Sequence, residues 1–209
     1  MDILIIGNGF DIENGLPTKY TDFLEVIRNP QSFTSAIYKM KNNQYDKKLE
    51  KYYHPNLSKV NFDNLNKMAS ILSDNSWAEY FSKTRGNRIF TSNGYVHGNY
   101  GLMKEKMLED LKNELDQFIE AYRIYLMEIV DTKSIDKKMH KSIAEINADA
   151  ILSFNYTNTE LKYTNLKAAD RYHIHGDISS DNSLVLGVNQ VDGDEANEYI
   201  YFVKYFQRI

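Results

Sequence analysis

The chain has no cysteine among its 209 residues. That excludes a disulfide scaffold, a cysteine zinc site and a thiol nucleophile. It has no basic excess either. The formal net charge is -4, which argues against a broad nucleic-acid-binding face and so against a nucleic-acid partner. No apolar run approaches the roughly 18 residues of a membrane span. The start, Met1-Asp-Ile-Leu-Ile-Ile-Gly7, has no basic region ahead of its short apolar run, so it does not read as a signal peptide. A cytoplasmic protein with no membrane partner is expected. Internal repeats and low-complexity tracts are also missing. What is present resembles an ordinary globular domain: 42% hydrophobic and 26% charged residues, with 16 tyrosines and 10 phenylalanines. A chain of this length can bury roughly 70% of its unfolded surface and needs no covalent staple.

Ile3–Ile6 is a β-branched run closed by Gly7-Asn8-Gly9, the pattern of a buried strand in a parallel sheet. A helix is expected after Gly15-Leu16-Pro17, capped by Thr18, with Tyr20, Phe23, Leu24 and Ile27 on one face and a stop at Asn29-Pro30. Phe62–Leu72 has amphipathic helical spacing, and Ser76–Phe81 looks like another helical start. Residues 84–100 read as a glycine- and asparagine-bearing loop. The strongest helical signal runs from Leu102 to Val130, where Leu108, Leu111, Leu115, Phe118, Tyr122, Tyr125 and Ile129 form one stripe. A second helix is expected through Ile135, Met139, Ile143 and Ile146.

The pattern then turns to strands: Ala150–Phe154, Tyr172–His175 and Leu184–Val188. These features predict an α/β fold in which a parallel sheet is interrupted by a large, mainly helical insertion. The core would comprise residues 1–30 and 147–209, and the insertion 31–146.

Several chemical readings attach to this frame. Gly7-Asn8-Gly9 at a strand end is a candidate phosphate loop, because its backbone N–H groups converge and glycine admits close approach. The dinucleotide fingerprint fails, since Ile12 stands where the third glycine belongs. No Gly-Lys-Ser/Thr occurs either. Asp11 would repel a bound phosphate by about 1–4 kcal/mol. It therefore reads as a helix cap, a ribose-hydroxyl acceptor or a catalytic group away from phosphates. Asn14-Gly15 reads as a turn, and Pro17 fixes the entry to the next helix.

Ligands of open α/β sheets sit beyond the carboxyl ends of the strands. Asn155, His175-Gly176 and Gly7-Asn8-Gly9 all fall at such ends. An amide there can orient a water or hold a ribose hydroxyl, and a histidine can act as general base. A buried structural histidine is the alternative, more so for His173. His173-x-His175 offers two ligands to a metal, but no third is near, so no metal is expected. Lysines 39, 41, 47, 48, 51 and 59 alternate with Tyr38, Tyr45, Tyr52 and Tyr53. They read as a solvated face, with a stacking groove for nucleic acid as the alternative.

Taken together, Ile3-Leu-Ile-Ile-Gly-Asn-Gly-Phe-Asp11, Gly15-Leu-Pro-Thr-Lys-Tyr-Thr-Asp-Phe-Leu24, Ser153-Phe-Asn-Tyr-Thr157, His173-Ile-His-Gly176, Leu186-Gly-Val188 and Phe202-Val-Lys-Tyr-Phe-Gln-Arg208 resemble the AbiH family of phage abortive-infection proteins. That family is in turn similar to sirtuins. The glycine block, the Gly15-Leu16-Pro17 block, Asn155 and His175-Gly176 match sirtuin spacing. The resemblance implies a sirtuin-like Rossmann-type fold and a phage-defence effector with a nucleotide pocket that hydrolyses the nicotinamide–ribose bond of NAD. It places Asn155 at the nicotinamide ribose and His175 as the base. It gives Gly7, Asn8, Gly9, Phe10, Asp11, Pro17 and Thr157 contacts to NAD or a related nucleotide. A non-catalytic nucleotide sensor and a nucleic-acid-directed toxin are the alternatives.

The sequence departs from the sirtuin pattern at Thr18-Lys19-Tyr20 and at Thr157, and it has no cysteine zinc module, which argues against a deacetylase. A further strand ending in Gly-His-Ser-Leu is missing. A fragment, or a wall supplied by a homo-oligomer or partner subunit, is expected on that account.

Overall fold

The computed structural model describes residues 1–42, 44, 55–75, 100–135, 143, 145–179 and 184–186. Three short strands, β1 (Ile3–Ile6), β2 (Ala150–Ser153) and β3 (Asp170–His173), form a parallel sheet in the order β1-β2-β3. Ile3 pairs with Ala150 and Ala150 with Asp170; at the far end Ile6 pairs with Ser153 and Ser153 with His173. All three strands therefore deliver their carboxyl ends to one edge. Between β1 and β2 lie α1 (Asn8–Glu13), α2 (Tyr20–Arg28), α3 (Pro30–Lys41), α4 (Phe62–Asp74) and α5 (Tyr100–Tyr125), the last running into a π-helical turn, Leu126–Asp131. The chain is thus mixed α/β, with a small parallel sheet split by helices.

Two apolar clusters hold it. The larger joins Phe23, Ile37, Leu65, Met68, Leu115, Tyr125 and Ile129, and also takes in Leu16, Ile178 and Leu184 from beside the sheet. The smaller packs Ile6, Ile151, Tyr163, Leu166 and Ala169 under one sheet face. The opposite face is open: Ile3, Ile5 and Tyr172 are 58%, 65% and 59% exposed. β1 is therefore buried on one face only, not on both as its apolar run predicts.

The long stripe behaves as core. Leu115, Phe118, Tyr125 and Ile129 are buried, and Leu108, Leu111 and Tyr122 are partly so. The α-helix ends earlier than the stripe, because the chain widens to π geometry at Leu126.

Other boundaries also shift, for local reasons. Thr18 does not cap α2; its hydroxyl donates to Asn8 Oδ1 at 2.7 Å. Lys19 stands at the cap position, and Asp22 accepts its backbone N–H at 3.0 Å. Asn29 ends α2 as expected and also caps α3, accepting from Ser32 N–H, with Pro30 in the first turn.

β3 lies two residues earlier than its alternating pattern suggests. Leu184 and Val185 are not in a strand. Both are buried, and Val185 shares one backbone bond with His175. The helical start at Ser76–Phe81, residues 84–99 of the expected loop, most of the helix through Ile135–Ile146, and residues 187–209 lie outside the described residues. So do Lys47, Lys48, Lys51, Tyr45, Tyr52 and Tyr53.

Candidate functional site

The first turn after β1 is not a loop. Gly7 is the N-cap of α1, and helix begins at Asn8. A Cβ added at Gly7 or Gly9 would meet nothing within 4 Å. α1 closes where Gly15 takes φ +68°, a left-handed conformation that suits glycine. Gly15 N–H bonds Ile12 O at 2.9 Å and Leu16 N–H bonds Asp11 O at 3.0 Å.

The turn is tied to the rest of the molecule by polar side chains. Tyr125 Oη donates to Pro17 O at 2.7 Å, and Lys133 Nζ to Gly15 O at 2.6 Å. Tyr163 Oη donates to Asn14 Oδ1 at 2.5 Å.

Asp11 is 1% exposed and makes no cap bond, which overturns its reading as a helix cap. Its Oδ2 accepts from Thr157 Oγ1 at 2.6 Å, and Thr159 Oγ1 donates to Thr157 Oγ1 at 3.1 Å. Its Oδ1 has no hydrogen-bond partner among the described residues. Burial raises the Asp11 pKa. The Thr157 and Thr159 hydroxyls hold it down in part, the charge of Glu160 pushes it up, and the nearby Asn155 amide lowers it.

Asn155 follows β2 and is 4% exposed, and neither polar atom of its amide has a formed hydrogen bond among the described residues. Its main chain is held from both sides: Asn155 N–H bonds Ser153 Oγ at 3.2 Å, and Asn155 O lies 3.0 Å from His173 Nδ1. His173 Nε2 is 3.5 Å from Glu160 Oε1, and Glu160 is fully buried. Desolvation alone would lower the His173 pKa. The Glu160 carboxylate and the Asn155 carbonyl outweigh it, so the net direction is up.

His175 stands half-buried in the turn after β3, its ring 6.0 Å from that of Phe154 and 6.3 Å from that of Tyr156. Tyr156 meets Tyr122 edge-on at 5.8 Å; burial drives the Tyr122 phenol pKa upward, and the nearby Tyr156, Asp11 and Asp22 add to the rise. Ring contacts thus run from His175 through Tyr156 to Tyr122.

The predicted residues fall into three groups. Asp11, Asn155 and Thr157 share one buried polar cluster. Asn8, Pro17 and Phe10 are engaged in packing or main-chain support: Pro17 is buried, and Phe10 packs its ring 5.7 Å from Tyr163. Gly7 and Gly9 stand at the start of α1, and His175 packs against Phe154 and Tyr156. Asn14, Tyr122, Glu160, Tyr163 and His173 also build the site, though the sequence marks only His173. Of the lysine face, Lys41 Nζ lies 4.1 Å over the Phe62 ring. No group of three or more histidine, aspartate or glutamate side chains among the described residues could hold a metal.

This is a mixed α/β protein whose parallel strands end on a buried cluster of carboxylates, hydroxyls, one amide and one imidazole. A family model, bacteriophage abortive infection AbiH, matches residues 3–209. The chain belongs to the AbiH family. No curated protein and no solved structure matches it. No helix among the described residues is long and apolar enough to cross a membrane.

Proposed function

We propose that the carboxyl ends of β1, β2 and β3 build a sirtuin-like nucleotide pocket, and that the protein acts in abortive infection by hydrolysing NAD there. The observation that carries the reading is the Asp11–Thr157 hydrogen bond. It joins α1, which follows β1, to the segment after β2, beside a buried Asn155 amide that bears on Asp11 and whose Oδ1 has no hydrogen-bond partner among the described residues. A buried amide oxygen without a partner is rare in native proteins and calls for a ligand or water.

In the reaction, the oxygen of a water attacks C1′ of the nicotinamide ribose. The C1′–N bond breaks, and its electron pair leaves with neutral nicotinamide. The water's proton passes to a His175 ring nitrogen. Asn155 orients the water or the ribose hydroxyl. Such a base contributes about a hundred- to ten-thousand-fold.

The test is nicotinamide release by purified protein, with Asn155→Ala and His175→Ala as folded controls. Equal turnover in the His175 variant would remove histidine from the mechanism. The burial of Asn155 favours a second reading, a nucleotide sensor that binds without turnover. Calorimetry that finds binding but no nicotinamide release would select it, and absence of binding to any nucleotide would remove both.

A further inference from the structure

We propose that His173 and Glu160 form a buried one-proton clamp that positions Asn155, a role resting on the reading of Asn155 as a pocket residue. Asn155 O can only accept a hydrogen bond. At 3.0 Å from it, His173 Nδ1 must carry a hydrogen. The tautomer is therefore fixed, and Nε2 is left to face Glu160 Oε1 at 3.5 Å. Glu160 is 0% exposed, and neither of its oxygens has a formed hydrogen bond among the described residues. One proton between Nε2 and Oε1 serves both groups: on the imidazole it makes an ion pair, and on the carboxyl a neutral contact. With none, a carboxylate sits in an apolar setting with no counter-charge, which is strongly destabilising.

The clamp acts at one point of the chain. Asn155 N–H is held by the buried Ser153 hydroxyl and Asn155 O by His173, so both flanking peptide planes are set by side chains of β2 and β3. The Asn155 amide bears on Asp11, and its aim is set by those two planes. The register supports this, since Ser153 and His173 are direct neighbours across the sheet and act on the same residue from adjacent strands. Other charges reach the clamp from two sides. Asp177, in the turn after β3, adds to the positive bias on His173, and Asp11 on α1 faces Glu160. Charged or neutral, a buried pair of this kind is no better for stability than apolar residues of the same volume. Its use lies in fixing a conformation.

His173 and Glu160 touch no reacting atom in this scheme, so they are positioning residues. A misplacement of about 1 Å in a reacting group costs on the order of a hundredfold in rate. His173→Leu should therefore lower kcat for nicotinamide release by about a hundredfold with KM little changed. His173→Asn, which keeps an N–H donor near the Nδ1 position, should recover most of that loss. Because His173→Leu strands a carboxylate, the double variant His173→Leu/Glu160→Leu guards against misfolding and should show the same loss of kcat.

Imidazole ¹⁵N spectroscopy tests the clamp without any turnover. The Nδ1–H tautomer should be observed, His173 should titrate above its usual range, and Glu160→Gln should bring that titration down. The Asn155 carbonyl carbon shift should follow the same curve. Wild-type protein that releases no nicotinamide would remove the catalytic reading, and the spectra would then decide the clamp. An Nδ1 without hydrogen, a His173 titration indifferent to Glu160→Gln, or a folded double variant with full kcat would overturn it.

Discussion

Thr157→Val is the sharpest probe of how the two halves of the sheet edge are joined. The change is isosteric and deletes one hydroxyl from a site that is 1% exposed. It removes the 2.6 Å bond to Asp11 Oδ2 and leaves Thr159 without the oxygen it donates to at 3.1 Å. A hydrogen bond to a charged group contributes about 1.5–3 kcal/mol, and a neutral one about 0.5–1.5 kcal/mol. Thr159 also interacts with Asp11 and can reorient, which offsets part of the loss. The expected cost is about 2–3 kcal/mol, read as a lowered urea midpoint at unchanged slope.

The loss should also depend on pH. Asp11 already has a raised pKa, and Thr157 is the strongest influence holding it down. The variant should therefore keep its proton to still higher pH. Its deficit should be small where Asp11 is protonated in both proteins and should grow as pH rises through the Asp11 titration. In an Asp11→Asn background the same substitution should cost much less, because the charge is gone. A cost under about 0.5 kcal/mol at neutral pH, or an equal cost with and without the carboxylate, would refute the Asp11–Thr157 link as a charge-assisted bond.

Other expectations follow from the same geometry. His173 and Asp11 both have folded-state pKa values above their ordinary ones of 6.5 and 3.8. Each therefore confers stability that is complete below its unfolded value and is lost as pH rises through the folded one. Chemical unfolding should show stability declining toward alkaline pH, in a first step above 3.8 and a second above 6.5, and Glu160→Gln should flatten the second. Gly15→Ala should destabilise by about 1–2 kcal/mol through its positive φ alone, since no atom lies within 4 Å of the new Cβ. Gly9→Ala, inside α1 with the same open surroundings, should stabilise by about 0.5–1 kcal/mol by thermal melting. If the proposed pocket takes a nucleotide, that variant should also weaken binding by calorimetry. Tyr125→Phe should cost about 1–2 kcal/mol by losing the buried bond to Pro17 O, with no change in secondary structure by circular dichroism.

The sequence reveals those parts of the fold whose signals are local. Ile3–Ile6 and Ala150–Ser153 are strands because short β-branched or apolar runs end in polar or glycine residues. The α5 stripe is core because its spacing admits one buried face. What escapes is decided by distant partners. Thr18 is an adequate cap by type, but Asn8, ten residues earlier, takes its hydroxyl. Leu184 and Val185 have strand composition, yet both are buried outside any strand, Leu184 in the larger apolar cluster.

Asn155 and Thr157 are legible at the site because they follow a strand directly. Glu160 is not, since nothing near it in a polar stretch indicates that it will be sealed beside an imidazole thirteen residues later. His173 and His175 look equivalent in sequence. Only the register with Ser153 turns the first toward the Asn155 carbonyl and leaves the second among aromatic rings.

The π turn at Leu126–Asp131 has an effect beyond its own length. A widened turn advances the chain by one residue relative to α geometry, so everything after it is rotated about the axis. The exit of the long helix is thereby set for two lysines: Lys133 reaches back to Gly15 O, and Lys162 meets Asp131 O at 2.5 Å and Lys133 O at 3.2 Å. These ammonium groups fasten three remote stretches of backbone through main-chain oxygens, and Lys162 also pairs with the Asp131 carboxylate at 3.5 Å. Deleting one residue from the bulge would turn both lysine anchors out of phase at once.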